Sequence, residues 1–306
     1  MSGKILITGG TGLIGSRLSE LLIDQGYEVA HLSRQANPYA HYKTFRWDLD
    51  QEYIDDNVLG YADYIINLAG ASVADGKWTP QRKKEILESR VKGINLLQKC
   101  LSQTNHRVKA FISASAIGIY GDTGNHLVIE ESKHGTDFLA SVTDQWENAA
   151  NQLQELLIRT CIFRIGIVLS NKGGALPQMA KPVKLMAGAP LGSGKQYISW
   201  IHIDDLCHLF IQAIEDTRYK GVFNAVAPSP VTNEEFTKAL AEVMHKPLTG
   251  LKVPAFGLKM MLGEMSEVVL EGQRVSCDKI LKMGFTFEYN TVYQALESFY
   301  SPQKSK

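Results

Sequence analysis

Short apolar runs alternate with longer amphipathic segments along the first half of the chain. The runs end in glycine or polar residues, which is typical of buried strands, and the longer segments repeat their apolar residues at helical spacing. Strands are therefore predicted at residues 4–8, 27–32, 44–47, 64–68, 110–113 and 160–165, and helices at 13–24, 80–101 and 144–157. Strands that alternate with helices predict right-handed crossovers and a parallel sheet with helices on both faces.

From about residue 170, glycine and proline interrupt this pattern as far as residue 194. An extended segment at 197–201, a helix at 204–215 and a strand at 222–225 follow, and helices are predicted at 233–244, 255–270, 276–283 and 291–300. We expect an α/β fold in which residues 1–169 form a Rossmann-type, doubly wound parallel sheet that also receives elements from about 196–228. Residues 170–306 are expected to form a smaller C-terminal α/β substrate lobe, mainly helical at 250–300.

Composition narrows the classes of function. The 306 residues hold 32 Lys plus Arg and 32 Asp plus Glu, so no net positive charge draws the protein to nucleic acid or to an anionic membrane. The chain has no apolar run long enough to span a bilayer, and its first strand begins too early to leave room for a signal peptide. The four cysteines lie far apart and outside metal-ligand spacing. We therefore expect a cytoplasmic protein with reduced thiols and no metal site.

The most specific motif is a glycine-rich turn between the first strand and the first helix. It reads Thr8-Gly9-Gly10-Thr11-Gly12-Leu13-Ile14-Gly15. In a dinucleotide-binding loop the first glycine permits a tight turn, the second lets the backbone approach a pyrophosphate, and the third lets the helix pack on the strand. The N-terminus of the helix then offers unpaired N–H groups to the phosphates. The predicted cofactor-binding residues of this loop are Gly9, Thr11, Gly12, Leu13, Ile14 and Gly15.

The end of the second strand indicates which dinucleotide is bound. An NAD site places an acid there for the ribose 2′-hydroxyl, whereas this chain has Ser33 and Arg34. An arginine is suited to a 2′-phosphate, so we predict NADP (NADPH) in preference to NAD. The alternative is that Arg34 is a solvated surface residue. Asp48, after the third strand, is predicted either to accept from the adenine amine or to cap the next helix.

The chain resembles the extended short-chain dehydrogenase/reductase superfamily. The glycine spacing, the strand end Asn67-Leu68-Ala69-Gly70 and the Ser-x-Ser…Tyr120-Gly121 segment carry this resemblance. More narrowly, it is similar to the NAD-dependent epimerase/dehydratase-like subfamily 39U, whose members carry a C-terminal domain of unassigned function. The matching segments cover essentially the whole chain: Trp78-Thr79, Glu85-Ile86, Ser89-Arg90, Asp144-Gln145-Trp146-Glu147, Trp200-Ile201-His202-Ile203-Asp204-Asp205-Leu206, Val253-Pro254-Ala255, Leu262-Gly263-Glu264, Glu271-Gly272-Gln273-Arg274 and Gly284-Phe285.

The resemblance implies a cofactor cleft at the carboxyl ends of the strands and a nucleotide sugar as the substrate class. It places Glu85 and Arg90 near the dinucleotide, where Arg90 pairs either with phosphate or with Glu85; an ordinary surface ion pair is the alternative. A monomer and a homodimer both stay open. The remaining predicted cofactor contacts lie at or just beyond strand ends: Leu68, Ala69, Gly70, Ser113, Arg164 and Gly166.

The usual catalytic pair of the superfamily is missing. Its Tyr-x-x-x-Lys belongs on the helix after residue 121, where this chain has Val142 and Trp146, which can supply neither a proton nor a cation. The candidate catalytic residues are Ser115, Tyr120 and His202, with Glu147 and Asp204 as further acid/base candidates. For Ser115 the alternative is a helix-capping or loop-stabilising serine, and for His202 and Asp204 a packed histidine and a helix cap.

Two functional hypotheses follow from these motifs. The first is an NADP-dependent oxidoreductase or sugar-nucleotide epimerase-like enzyme with a different proton relay. The second is a non-catalytic NADP(H)-binding sensor or partner-binding protein. A nucleic-acid regulator is disfavoured because the net charge is zero and no recognition motif is present.

Overall fold

The computed structural model describes residues 3–35, 41–55 and 57–301. The strands are β1 (Lys4–Thr8), β2 (Glu28–Ser33), β3 (Lys43–Asp48), β4 (Tyr53–Ile54), β5 (Tyr64–Asn67), β6 (Ala110–Ala116), β7 (Leu127–Val128), β8 (Arg159–Ile165), β9 (Ile167–Leu169), β10 (Tyr197–Ile198), β11 (Trp200–His202), β12 (Gly221–Ala225), β13 (Val231–Thr232) and β14 (Arg274–Val275). The helices are α1 (Leu13–Asp24), α2 (Asn57–Tyr61), α3 (Pro80–Gln103), α4 (Phe138–Asn151), α5 (Ala175–Lys184), α6 (Ile203–Glu215), α7 (Asn233–Val243), α8 (Ala255–Leu262), α9 (Glu267–Leu270), α10 (Asp278–Lys282) and α11 (Val292–Tyr300). Three 3₁₀ turns cover Ile117–Tyr120, Gln152–Leu156 and Gly263–Ser266.

The core of the protein is an eight-stranded sheet in the order β12-β8-β6-β5-β1-β2-β3-β4. Every neighbouring pair is parallel except β3–β4. The central strands are apolar runs because both of their faces are covered, and Ile5, Leu6 and Ile7 of β1 are fully buried. The predicted Rossmann-type α/β fold is confirmed.

The order of the strands determines where a ligand can bind. The chain proceeds outward from β1 through β2 to β3, then returns and continues on the other side through β5, β6 and β8. Crossovers therefore leave in opposite directions from β1 and β5, and a crevice opens at their carboxyl ends. Helix α1 packs against α6, and α3 packs against α4, so the helices flank this crevice.

The second half of the chain contributes to the main sheet and also builds a separate core. Strand β12 pairs with β8 at one edge of the sheet. The separate core includes Leu176 of α5, Trp200 of β11, Phe236 of α7 and Leu296 of α11. Two-stranded pairings join β9 to β11, β10 to β13 and β7 to β14. The division into domains at residue 169 stays a prediction.

Several predicted elements differ from the structure. Helix α4 begins at Phe138, six residues before the predicted start, because the Asp137 carboxylate accepts a hydrogen bond from Ala140 N at 2.9 Å and caps it. The predicted helix at 255–270 is broken at Gly263, whose φ of +63° cannot continue a helix. The extended segment at 197–201 forms two short strands, and 276–283 contains the short helix α10. Within the described ranges, no helix is long and apolar enough to cross a membrane.

Candidate functional site

The glycines of the first turn play three different structural roles. Gly9 has φ +70°, and a Cβ there would lie 2.9 Å from the backbone of Leu68. A Cβ on Gly15 would lie 2.4 Å from the Gly9 carbonyl oxygen, so this glycine lets α1 lie on the loop. A Cβ on Gly12 would meet only the Gly9 oxygen, at 3.2 Å. The fold therefore requires Gly9 and Gly15, whereas a side chain at Gly12 would be crowded by one carbonyl oxygen alone.

The N-terminus of α1 has no internal cap. Gly12 occupies the N-cap position without a side-chain hydrogen bond, and the first turn of the helix contains no acidic residue. The first N–H groups of a helix need acceptors, and its positive end favours an anion. Leu13, in this first turn, contacts the 173–174 loop, because its Cδ2 lies 3.1 Å from where a Gly174 Cβ would stand.

Side chains of three neighbouring strands, β1, β5 and β6, form a buried polar layer beneath the crevice. The Thr8 hydroxyl donates to Asn67 Oδ1 at 2.7 Å and accepts from the N–H groups of Leu68 and Ala69, both at 3.2 Å. Asn67 Nδ2 donates to Ser113 Oγ at 3.0 Å, and Ser113 donates to its neighbour's carbonyl. Ser113 is fully buried and holds Asn67, so its hydroxyl is not free for a ligand. Sequence reasoning missed Thr8 and Asn67 as supports of the 68–70 segment, although Thr8 ends one predicted strand and Asn67 is the next-to-last residue of another.

The end of β2 presents Ser33 and an exposed Arg34. No carboxylate of the described residues bonds Arg34; residues 36–40, which follow, lie outside the described ranges. Asp48 Oδ1 accepts from the N–H groups of Asp50 and Gln51, both at 3.1 Å, and so holds the turn into β4. The prediction that Asp48 caps a helix is wrong, since a strand follows; its contact with adenine stays a prediction.

Arg90 and Glu85 do not pair. Glu85 accepts from Arg82 at 2.6 Å, so the predicted Glu85–Arg90 alternative is wrong. The Arg90 guanidinium donates to the carbonyls of Ala71 and Ile86 at 3.0 and 2.9 Å. Burial, with repulsion from Arg82, lowers the pKa of Arg90 to about 10. No carboxylate in the described part of the chain pairs with this partly buried cation.

The two positions of the missing catalytic pair have structural roles. Val142 is buried against Trp78 and Ile86. The ring of Trp146 lies 5.1 Å below the Arg90 guanidinium. Trp146 Nε1 is buried and has no hydrogen-bond acceptor among the described residues.

Ser115 belongs to a buried ionic network. Its hydroxyl donates to Glu147 Oε1 at 2.6 Å, and the same carboxylate accepts from Arg164 Nε and from its second terminal nitrogen, both at 2.8 Å. All three residues are at least 95% buried. The two-pronged ion pair joins α4 to β8 and holds the carboxylate under the end of β6. The side chain of Arg164 is therefore committed to the network, and a cofactor contact from this residue has to come from its backbone.

Tyr120 completes the same network. Its hydroxyl donates to Asn224 Oδ1 at 2.7 Å and accepts from Arg164 at 2.9 Å. Burial raises the pKa of Tyr120 despite the neighbouring guanidinium. Because the only hydroxyl proton of Tyr120 is already donated in the hydrogen bond to Asn224, Tyr120 has none to donate to a substrate in this arrangement. Next to the network, a Cβ on Gly166 would lie 2.4 Å from Ser199 O, so this glycine is required for close packing of two backbone segments.

His202 is buried at the end of β11. Its Nδ1 accepts from Asp204 N at 3.1 Å and caps α6, and its ring stacks between Tyr289 and Phe299. The packed-histidine alternative therefore describes this residue. The expectation that Asp204 is the cap is wrong, because Asp204 lies in the first turn of the helix and pairs with Arg17 at 2.6 Å.

The buried state of His202 predicts a pH-dependent stability. Burial lowers the pKa of His202 from 6.5 to about 4, so unfolding at intermediate pH takes up a proton. The free energy of unfolding therefore keeps its full value above pH 6.5. It decreases as the pH falls from 6.5 towards 4, by up to about 3 kcal/mol. We expect His202→Gln to flatten this part of the curve of unfolding free energy against pH, measured by urea titration. Burial lowers the pKa of His31 too, but that contribution is common to both proteins. Parallel curves for the two proteins would contradict the assignment.

Together, the sheet order and the uncapped glycine turn define a Rossmann-fold protein of the extended short-chain dehydrogenase/reductase class. The chain belongs to the NAD dependent epimerase/dehydratase family, whose model matches residues 5–225. A second model, Domain of unknown function (DUF1731), matches residues 253–299. The predicted resemblance is confirmed.

The similarity to known proteins extends over almost the full length of the chain. Epimerase family protein YfhF of Bacillus subtilis is 36% identical over 304 residues, 99% of each chain. The crystal structure of human epimerase family protein SDR39U1 with NADPH is 30% identical, with a TM-score of 0.86 over 97% of this chain and 98% of that one. A nucleoside-diphosphate sugar epimerase from Corynebacterium glutamicum is 32% identical, with a TM-score of 0.78 over 97% of this chain and 57% of that one.

Proposed function

We propose that the chain binds NADP(H) at the carboxyl edge of the main sheet and acts on a small molecule as an oxidoreductase or epimerase-type enzyme. The observation that carries this proposal is the uncapped N-terminus of α1, where a Cβ on Gly12 would meet only the Gly9 carbonyl oxygen. Together these features form a cradle for a pyrophosphate. The backbone of residues 68–70, held by Thr8 and Asn67, forms the adjacent wall.

The positively charged side chains near this edge favour a dinucleotide that carries an additional 2′-phosphate. Arg34 follows β2 at the position where an NAD-specific site would carry an acid. The human relative was crystallised with NADPH. Arg90, a partly buried cation with no described carboxylate, and Trp146 Nε1, a donor with no described acceptor, lie together where the superfamily has its lysine. Trp146 Nε1 lacks an acceptor, and Arg90, which donates to two backbone carbonyls, lacks a counter-ion among the described residues. The hydroxyl and phosphate oxygens of a dinucleotide could supply both.

A bound nicotinamide supplies hydride transfer, so the chain itself has to position the substrate and move its proton. Of the predicted catalytic residues, Ser115 keeps an accepting capacity, because its hydroxyl donates to Glu147 and accepts from no side chain of the described residues. We retain Ser115 as the catalytic candidate and place Glu147 and Arg164 as the groups that orient it. The name of the Corynebacterium relative makes nucleotide sugars the first substrate class to test.

A second candidate function is a non-catalytic NADP(H)-binding sensor or partner-binding protein. It is favoured by the occupied hydroxyl of Tyr120 and by Val142 and Trp146 at the positions of the catalytic pair. Isotope exchange between labelled NADPH and a panel of nucleotide sugars separates the two. Exchange that is lost in Ser115→Ala supports the enzyme, and tight NADPH binding without any exchange supports the sensor.

Replacing Arg34 tests the cofactor. We expect the chain to bind NADPH more tightly than NADH, and Arg34→Ala to weaken NADPH binding about tenfold while leaving NADH binding unchanged. Titration of NADPH fluorescence measures both affinities, with Arg218→Ala, an exposed arginine paired with Asp216, as the control. Equal affinities for the two dinucleotides in the unmodified protein, or no effect of Arg34→Ala, would overturn the preference for NADP.

A further inference from the structure

A second arginine lies beside the end of β2 on the neighbouring strand. Strand β3 pairs with β2 in parallel, and Arg46 is aligned with Ser33 in the register. Neighbouring parallel strands lie about 4.8 Å apart, and aligned side chains project from the same face of the sheet. Arg46 therefore stands next to the position that, under the proposed function, faces the ribose of the dinucleotide. The sequence alone separates Ser33 and Arg46 by a loop and does not bring them together.

The face on which Arg46 lies is the face of the glycine turn. His31, two residues before Ser33, lies on that face, since its ring would be 2.4 Å from a Cβ on Gly10. His31 is aligned with Thr44, and Arg46 follows Thr44 by two residues, so all lie on one side of the sheet. Trp47 projects from the opposite side, where its ring contacts Gly93 of α3.

Most of the Arg46 guanidinium is free to bind an anion. The side chain is half exposed, and its contacts in the described ranges are an ion pair with Asp48 at 3.4 Å and a position 5.8 Å above the ring of Tyr53. The other oxygen of Asp48 is bound to two backbone N–H groups, so Asp48 is held in place by the turn. Asp48 thereby holds Arg46 at the sheet edge while leaving the remaining N–H donors of its guanidinium unbound.

We infer that Arg46 is a second determinant of dinucleotide specificity, which forms with Arg34 a two-arginine clamp for the 2′-phosphate. This inference rests on the proposed NADP(H) site. A phosphate monoester carries close to two negative charges at neutral pH, and two guanidinium groups from adjacent strands match that charge. Arg34 comes from the loop after β2, whereas Arg46 is fixed on a strand.

The same strand offers a matched control. Lys43 carries the same charge on β3, but its ammonium lies over the rings of Phe45 and Tyr61, 4.7 and 4.8 Å from their centres. Phe45 and Trp47 are separated from Lys43 by two and four residues, so Lys43 is on the face away from the glycine turn. Lys43→Gln removes a positive charge from β3 without touching the inferred clamp.

The experiment compares the dissociation constants of NADPH and NADH for the full chain, Arg46→Gln, Arg34→Ala, the double variant and Lys43→Gln. We expect Arg46→Gln to weaken NADPH about tenfold and to leave NADH within about twofold, and the double variant to bind the two dinucleotides alike. Lys43→Gln should keep the ratio of the two constants.

Three outcomes would overturn the clamp, and they differ from one another. If the full chain binds neither dinucleotide, the proposed function fails and the clamp with it. If it prefers NADPH and only Arg34→Ala reduces that preference, the proposed function stands and Arg46 is a surface ion pair. If Lys43→Gln reduces the preference for NADPH over NADH as much as Arg46→Gln does, the effect comes from the loss of any positive charge on β3 and not from a specific contact of Arg46.

Discussion

Replacing Glu147 with alanine is expected to lower the free energy of unfolding by about 3–5 kcal/mol. The substitution removes both acceptors of Arg164 Nε and of its second terminal nitrogen, and it leaves a buried guanidinium without its counter-ion. It also removes the acceptor of the Ser115 hydroxyl. Urea denaturation at pH 7, followed by circular dichroism, measures the loss.

The control for this prediction is Glu85→Ala. Glu85 also accepts from an arginine, Arg82, but its side chain is 54% exposed, and removing a surface pair costs less than about 1 kcal/mol. Both glutamates pair with an arginine, but only Glu147 is buried. The difference between the two losses of unfolding free energy therefore measures the effect of burial. A Glu147→Ala protein as stable as the Glu85→Ala protein would show that water reaches the network and that the buried ion pair does not exist in solution.

Gly12→Val is expected to weaken NADPH binding at least about 100-fold while lowering the melting temperature less than Gly15→Ala does. The Gly12 backbone has φ −74° and ψ 176°, an extended conformation that valine adopts. A Cβ there would lie 3.2 Å from the Gly9 carbonyl oxygen, a tight contact, with no other atom within 4 Å. That space is where a pyrophosphate would approach the backbone. NADPH titration and thermal unfolding of the same sample measure the two effects.

Two further glycines make this test specific. Gly60→Val in α2 adds a side chain in open space, and should alter neither binding nor the fold beyond its effect on a short helix. Gly15→Ala should lower the melting temperature as well, because its Cβ would lie 2.4 Å from the Gly9 oxygen. Unchanged NADPH affinity in Gly12→Val would exclude the glycine turn as the pyrophosphate site.

A predicted element agrees with the structure where the residues that specify it lie close together in the sequence. Strand β1, the glycine turn and α1 were predicted at their observed bounds because every signal for them lies within a few residues. The start of α4 was missed because it depends on an aspartate cap outside the apolar pattern. The break at Gly263 was missed because a glycine inside a helical pattern does not by itself say which φ it adopts.

The candidate site was predicted in part for the same reason. The glycine turn and the 68–70 segment are local motifs, and their residues line the crevice at the strand ends. Arg164, Tyr120 and His202 were predicted as site residues from local motifs. The hydrogen-bond partners of Tyr120 and His202 lie far away in sequence: Tyr120 bonds Asn224, 104 residues later, and His202 bonds Ser298, 96 residues later. A sequence pattern cannot say that these hydrogen-bonding groups are already occupied.

The residue pattern was therefore sufficient for the alternation of strands and helices, the Rossmann class and the glycine-rich turn, because hydrophobic periodicity and turn chemistry act over short distances. Only the folded chain assigned the charged side chains to their partners. In the folded protein, buried Arg164 bonds both Glu147 and Tyr120, and the Arg90 guanidinium lies over the ring of Trp146. Strand register placed Arg46 beside Ser33. These are long-range pairings, and they depend on which surfaces the sheet and helices bring together, not on the spacing of residues along the chain.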